Sequence, residues 1–196
     1  MPSRDSPPDA FGSAYRLLST AVTPRPIGWI SSRSKAGVDN LAPYSFFNVV
    51  AIDPPVVMFA PVGSSELKDT PRNVHETEEF VVNVVTGDLV DRMNATSATL
   101  EPGESEFDHV GIERAASVAV DPPRVAAAKA AFECERYDWI EVGGSVLILG
   151  EVVHAHVDED VLTDGKIDIE NIDTVGRLSG SQYASTAERF SIDRPS

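Results

Sequence analysis

A chain of 196 residues, 42% of them hydrophobic, is long enough for one domain with a sizeable core and short for two. Its formal net charge of −15 argues against nucleic acid or an anionic membrane as a partner, and it suits a protein kept soluble at high salt. No apolar run approaches the roughly 20 residues of a bilayer span, and the single cysteine, Cys134, excludes an intramolecular disulfide or a cysteine-based zinc site.

The first residues are polar and rich in Pro and Ser, without the basic start and apolar centre of a signal peptide. Residues 1–14 therefore read as a flexible tail and 15–196 as one domain of a cytoplasmic protein. Ile27–Ser32 reads as a strand, Ser34-Lys35-Ala36-Gly37 as a turn, and a second extended stretch begins near Asn40, which together predict a hairpin. Asp53-Pro54-Pro55 breaks the chain before Val56–Ala60, a wholly apolar run that predicts a central strand. Thr70–Thr77 predicts a helix with Thr70 as N-cap and Pro71 at the first helical position. Phe80–Val85 predicts another buried strand, and Leu89–Thr96 a second helix. Ala131–Tyr137 and Ser145–Val157, separated by Gly143-Gly144, predict a second hairpin that carries Cys134 as a packed, inert thiol. Many short strands and few helices give a mainly β fold, a barrel with helical insertions.

Two segments stand out chemically. In Ser64–Asn73, Lys68 and Arg72 flank a helix start, with hydroxyls from Ser65 and Thr70. A helix N-terminus presents free N–H groups and partial positive charge, which suits a phosphate. The same two cations would also serve an ordinary solvated helix. In Asn40–Asn48, aromatic residues, a hydroxyl and two amides are interleaved, with backbone N–H groups near Ser45–Asn48. That combination suits the edge and face of a flat heteroaromatic ligand, and equally a barrel strand with Phe46 and Phe47 on opposite faces.

Other motifs carry less. His154-Ala155-His156 puts two imidazoles on one strand face, with Asp158 continuing the parity. No third metal ligand is obvious, so they read as two surface or interface histidines. His75 and His109 are isolated. The chain has no G-x-S-x-G elbow, no P-loop and no G-x-G-x-x-G fingerprint.

Several stretches, in their order and spacing, resemble the flavin reductase-like family, including its flavoredoxin-type members. They are Pro24–Ser31, Asn40–Asn48, Asp53-Pro54-Pro55, Lys68-Asp69-Thr70 with Asn73, Glu79–Asn83, Ser105-Glu106-Phe107, Gly150–Val153 and Gly176–Tyr183. Gly28 stands where the family more often has Ala, and Ser179 interrupts a common Gly-Gly pair. The resemblance implies an FMN-binding split β-barrel of Greek-key type and a homodimer with its interface near the flavin. It implies phosphate contacts from Arg25, Ser65, Lys68, Asp69, Thr70 and Asn73, and a ring site lined by Ser45, Phe46, Phe47 and Asn48. Arg177 would touch the phosphate or close the site. The implied activity is NADH- or NADPH-dependent flavin reduction without a catalytic side chain or a metal, serving a partner oxygenase or redox protein. The alternative is a non-catalytic FMN-binding electron carrier.

Overall fold

Phe80, Val81 and Val82 follow one another without a polar interruption, so a strand containing them must be covered on both faces. In the computed structural model, which describes residues 3–62 and 68–195, all three are buried at the centre of the main sheet. The chain runs through α1 (Ala14–Ala21), β1 (Arg25–Pro26), β2 (Gly28–Arg33), β3 (Asp39–Tyr44), β4 (Phe47–Ile52) and β5 (Pro55–Phe59). It continues with α2 (Asp69–Thr77), β6 (Glu79–Val84), α3 (Val90–Ala95), α4 (Glu106–Val110), β7 (Arg114–Ala115) and β8 (Arg124–Val125). Two long strands follow, β9 (Ala130–Val142) and β10 (Ser145–Val157). The short strands β11 (Leu162–Thr163), β12 (Lys166–Ile167), β13 (Val175–Arg177) and β14 (Tyr183–Ser185) complete the order.

Seven strands form one antiparallel sheet in the order β3-β2-β6-β9-β10-β5-β4. The chain leaves β3 at one edge, builds the opposite edge with β4 and β5, and returns to the middle through α2. A smaller sheet, β1-β13-β14, sits beside it. Extra residues at Val50 in β4, Tyr137 in β9 and Val153 in β10 shift the register, and such bulges bend a strand and increase its twist.

Strand β2 has a core on each side. Ile30 packs with Val57, Phe59, Phe80, Val82, Cys134 and Ile148. Trp29 packs with Leu41, Leu89, Met93, Phe107 and Ile112, and its indole N–H donates to the Thr96 hydroxyl at 2.9 Å. The two predicted hairpins form, with turns at Gly37 (φ 84°) and Gly143 (φ 57°), where a left-handed backbone favours glycine.

The start of α2 differs from the prediction. Lys68 is the N-cap and makes no side-chain capping bond, while Thr70 is already helical. The Thr70 hydroxyl is drawn inward to Asn40 instead of back onto its own helix. Pro71 still lies in the first turn, where its missing N–H costs no intrahelical bond. Helices α1 and α4 and strands β13 and β14 were not predicted. Ser13 caps α1 by accepting from the Arg16 N–H at 3.0 Å, and the boundary drawn at residues 14 and 15 falls on this helix's first turn.

Gly150 allows the Phe80 ring to approach β10 closely. A Cβ there would meet Phe80 Cε1 at 2.6 Å and Cys134 Cβ at 3.0 Å. Gly150→Ala is therefore expected to lower stability by about 1–3 kcal/mol through overpacking. Urea unfolding should show a lower midpoint at unchanged slope, and an unchanged midpoint would mean that Phe80 moves aside freely.

Candidate functional site

A cavity of about 600 Å³ opens where α1, the β3–β4 corner, α3 and the β13–β14 hairpin meet. Arg16, Arg25 and Arg177 line it, with hydroxyls from Ser19, Ser45, Ser97 and Ser179 and rings from Tyr15 and Tyr183. Three guanidinium groups around one space are notable in a chain of net charge −15, and the volume suits a nucleotide-sized ligand.

Arg25 is the buried member. Its terminal nitrogens donate to the carbonyls of Ser19, of Val22 at 2.9 Å and of Leu178 at 2.8 Å. A cation thus closes the C-terminal end of α1, where helix carbonyls accumulate partial negative charge, and ties it to the loop after β13. Arg25 Nε is buried without a partner among the described residues. The guanidinium lies 5.8 Å from the centre of the Phe46 ring, and Tyr15 packs on that ring at 6.5 Å. Arg177 stacks 4.6 Å from the ring of Tyr183 and donates to its hydroxyl and to the Gly180 carbonyl. Ser179 is bonded to Thr20 at 3.0 Å, so the residue that interrupts the expected glycine pair joins this loop to α1.

The α2 start forms a second group. Lys68 and Asp69 are exposed, and Arg72 pairs with Asp69 near the surface. Beneath them lies a buried polar network. The Thr70 hydroxyl donates to Asn40 Oδ1 at 2.5 Å, and Asn40 Nδ2 donates to both Glu106 oxygens at 2.9 and 2.8 Å. The Leu41 N–H also donates to Glu106 at 2.9 Å, and Asn73 donates to Ser32 at 3.1 Å. Burial raises the Glu106 carboxyl above its ordinary value, against the opposing pull of these donors. Tyr44, at the end of β3, packs on Phe59 with ring centres 4.9 Å apart, and burial pushes its phenol up to about 12.

The residues expected at the site do not all come together. Arg25, Ser45 and Arg177 meet at the cavity, with Phe46 against Arg25. Lys68, Asp69, Thr70 and Asn73 do not line it. They lie at the start of α2, where Thr70 meets the side chain of Tyr44, the residue before Ser45. Phe47 turns into the core, where Gly28 makes room for it: a Cβ on Gly28 would lie 2.7 Å from the Phe47 ring. Asn48 is exposed on β4, its Oδ1 accepting the Val49 N–H at 2.8 Å. Ser65 lies outside the described residues. Tyr15 and Arg16 were not anticipated, since they reach the cavity only because α1 forms. The capping serine at Ser13 was the available signal.

A curled antiparallel barrel of this kind, with such a cavity at its rim, is that of a split-barrel flavoprotein oxidoreductase. Residues 20–170 match the family described as flavin reductase like domain. An uncharacterised protein of Halalkalibacterium halodurans is 41% identical over 191 residues, covering 92% of this chain and 90% of its own. Component B of nitrilotriacetate monooxygenase from Bacillus cereus superposes with a TM-score of 0.90 at 34% identity, over 98% of each chain. The 2-nitrobenzoate 2-nitroreductase of Pseudomonas fluorescens gives 0.86 at 32% identity, over 93% of this chain and 90% of that one. The chain belongs to the flavin reductase-like family.

Thr70→Val keeps the shape of the side chain and removes the donor to Asn40. It is expected to lower stability by about 1–3 kcal/mol, the cost of leaving a buried polar group short of a partner. Thermal and urea unfolding of the variant read this directly. No change would show that Ser32 alone satisfies Asn40.

Proposed function

We propose that the protein is an FMN-dependent flavin reductase, working as a cytoplasmic homodimer whose single domain, residues 15–196, follows a flexible tail. NADH or NADPH delivers hydride, and the reduced flavin serves a partner oxygenase or redox protein. The observation that carries this reading is the arrangement along β3. One end of Ser45–Asn48 opens into the arginine-lined cavity, while Tyr44, next to Ser45, packs beside the start of α2. A flat ring and a phosphate joined by a short chain would find complementary groups at these two places.

When bound, the flavin supplies the hydride acceptor. The residues of this chain bind and orient it. Lys68 and the free N–H groups of α2 hold the phosphate, the Arg72 pair offsetting the charge of Asp69. Thr70 and Asn73 fix the helix start from below, and Ser65 adds a hydroxyl from the preceding segment. The backbone of Ser45–Asn48 meets the ring edge, Phe46 forms a wall, Phe47 braces the corner from the core, and Arg177 with Tyr183 closes the cavity. Arg25 holds α1 to the Arg177 loop, so its contribution to the anion is mainly electrostatic. Tyr44 and Cys134 are both held protonated by burial, which fits chemistry carried by the cofactor.

Edge strand β4 exposes Val49, Val50 and Ile52, at 59%, 51% and 80%, beside Asn48. An unpaired apolar edge is a natural surface for a second copy, and supports a dimer whose interface adjoins the ring site. The likeness to a monooxygenase component supports an oxygenase as the acceptor. No helix among the described residues is long and apolar enough to cross a membrane.

The visible spectrum of the purified protein, titrated with FMN, tests the reading. Flavin bands should co-purify or shift on titration, and NADH or NADPH should bleach them with turnover. Lys68→Ala should weaken FMN about tenfold or more, since a charge-assisted bond to phosphate is worth roughly 1.5–3 kcal/mol. A colourless protein indifferent to FMN would remove the proposal, and unchanged affinity in the variant would move the phosphate elsewhere.

A further inference from the structure

Strands β9 and β10 pair in register except where Val153 is inserted. Val152 lies opposite Cys134, and His154, two residues on, lies opposite the next β9 residue, Glu133. Without the extra residue, His154 would oppose Phe132, whose ring packs against the interior core. The bulge turns His154, and with it His156, onto the other face of the sheet, the face of Glu133.

Glu133 is fully buried. Its Oε1 accepts the Val118 N–H at 2.8 Å, and its Oε2 accepts the N–H groups of Val118, Ala119 and Val120 at 3.0, 2.5 and 3.2 Å. Burial opposes its ionisation, but these amides and His156 outweigh burial and hold the carboxyl below its ordinary value. The result is an anchored carboxylate. His156 Nε2 stands 2.6 Å from Oε1, and the ring of His154 lies edge-on to that of His156 with centres 4.9 Å apart. One ligand atom from each of the three residues falls within 4.8 Å of the others.

We propose that Glu133, His154 and His156 form a binding site for a divalent transition-metal ion of the zinc class, separate from the flavin site. Two imidazoles and one carboxylate are a borderline donor set suited to such an ion, with a water completing the coordination. Bond lengths near 2.0–2.2 Å place ligand atoms about 3–3.6 Å apart. His156 must therefore draw back slightly from Glu133 and His154 must close in. Both rings are only half-buried, so side-chain rotation suffices. The hydrogen bond from His156 to Glu133 explains His156 alone. It gives no reason for a second imidazole, that of His154, in the same three-atom set. Asp158, the third ligand that sequence parity suggests, is instead paired with Lys129 at 3.1 Å. None of the three residues lines the arginine-rich cavity. A bound ion would join β9 and β10 to the Val118–Val120 loop through Glu133.

The experiment is titration of the untagged, chelator-stripped full chain with Zn2+ against a chromophoric chelator, together with thermal unfolding with and without Zn2+. One ion per chain should bind at micromolar affinity or tighter and raise the melting temperature. His154→Ala, which leaves the Glu133–His156 bond in place, should fold with an unchanged metal-free melting temperature. It should lose affinity by about tenfold or more and lose most of the zinc-induced shift. Absence of binding at submillimolar Zn2+ would overturn the proposal, as would binding that His154→Ala leaves unaltered. Neither outcome bears on FMN binding.

Discussion

A carboxylate placed in a protein interior must have its lone pairs filled, or it gives up its charge or its place. Glu106 meets that demand with the Asn40 amide nitrogen, which reaches both of its oxygens, and the N–H of Leu41. Asn40 still needs donors for its own carbonyl. Thr70 supplies one from α2 at 2.5 Å, and Ser32 a weaker one from β2 at 3.4 Å. One chain of satisfied groups therefore fixes β3, α2 and α4 relative to each other. Removing any member would leave a buried polar atom short of a partner, which costs more than the bond itself contributes. The place and direction of the α2 start follow from this network more than from the helix's own capping.

The same strand sets the cavity. Leu41, beside Asn40, goes into the Trp29 core, Tyr44 packs on Phe59, and Ser45 then turns the corner into open space. The barrel wall is rigid because β2 is packed on both faces. The other side of the cavity is assembled from α1 and the β13–β14 hairpin, elements too short to be stable alone. Arg25 and the Thr20–Ser179 bond hold those pieces together across about 150 residues of sequence, a closure whose entropic cost grows only slowly with loop length. The cavity therefore has a rigid wall on one side and a tied but lighter cover on the other.

What could be read in the sequence followed from burial on both faces. Val56–Phe59 and Phe80–Val82 declare themselves as strands because no polar residue interrupts them, and the glycine turns fix both hairpins. The α2 helix was legible but its cap was not, because Thr70 bonds to a residue thirty positions away. Strands β13 and β14 have three residues each, too few for a period to show. In the site, Arg25, Ser45 and Arg177 converge, yet the sequence could not tell that Arg25 would turn its nitrogens onto backbone carbonyls. That outcome depends on α1, whose exposed apolar residues Tyr15 and Leu18 do not mark a buried face.

The bulges show where local periodicity stops being a guide. Alternation along β10 joins His154 and His156 to Asp158, but it is silent about the neighbouring strand. Because Val153 is an extra residue, the face that parity assigns to His154 relative to β9 is reversed, and Glu133 comes opposite. On β4, Val50 is likewise inserted within the run whose apolar side chains stay exposed at the sheet edge. A barrel needs bends, so bulges alone mean little. Here two of them stand beside groups that the core does not use: a pair of imidazoles facing an anchored carboxylate, and an apolar edge next to the β3–β4 corner. Features that break a local rule without serving the packing are where selection for binding is most plainly visible in a fold.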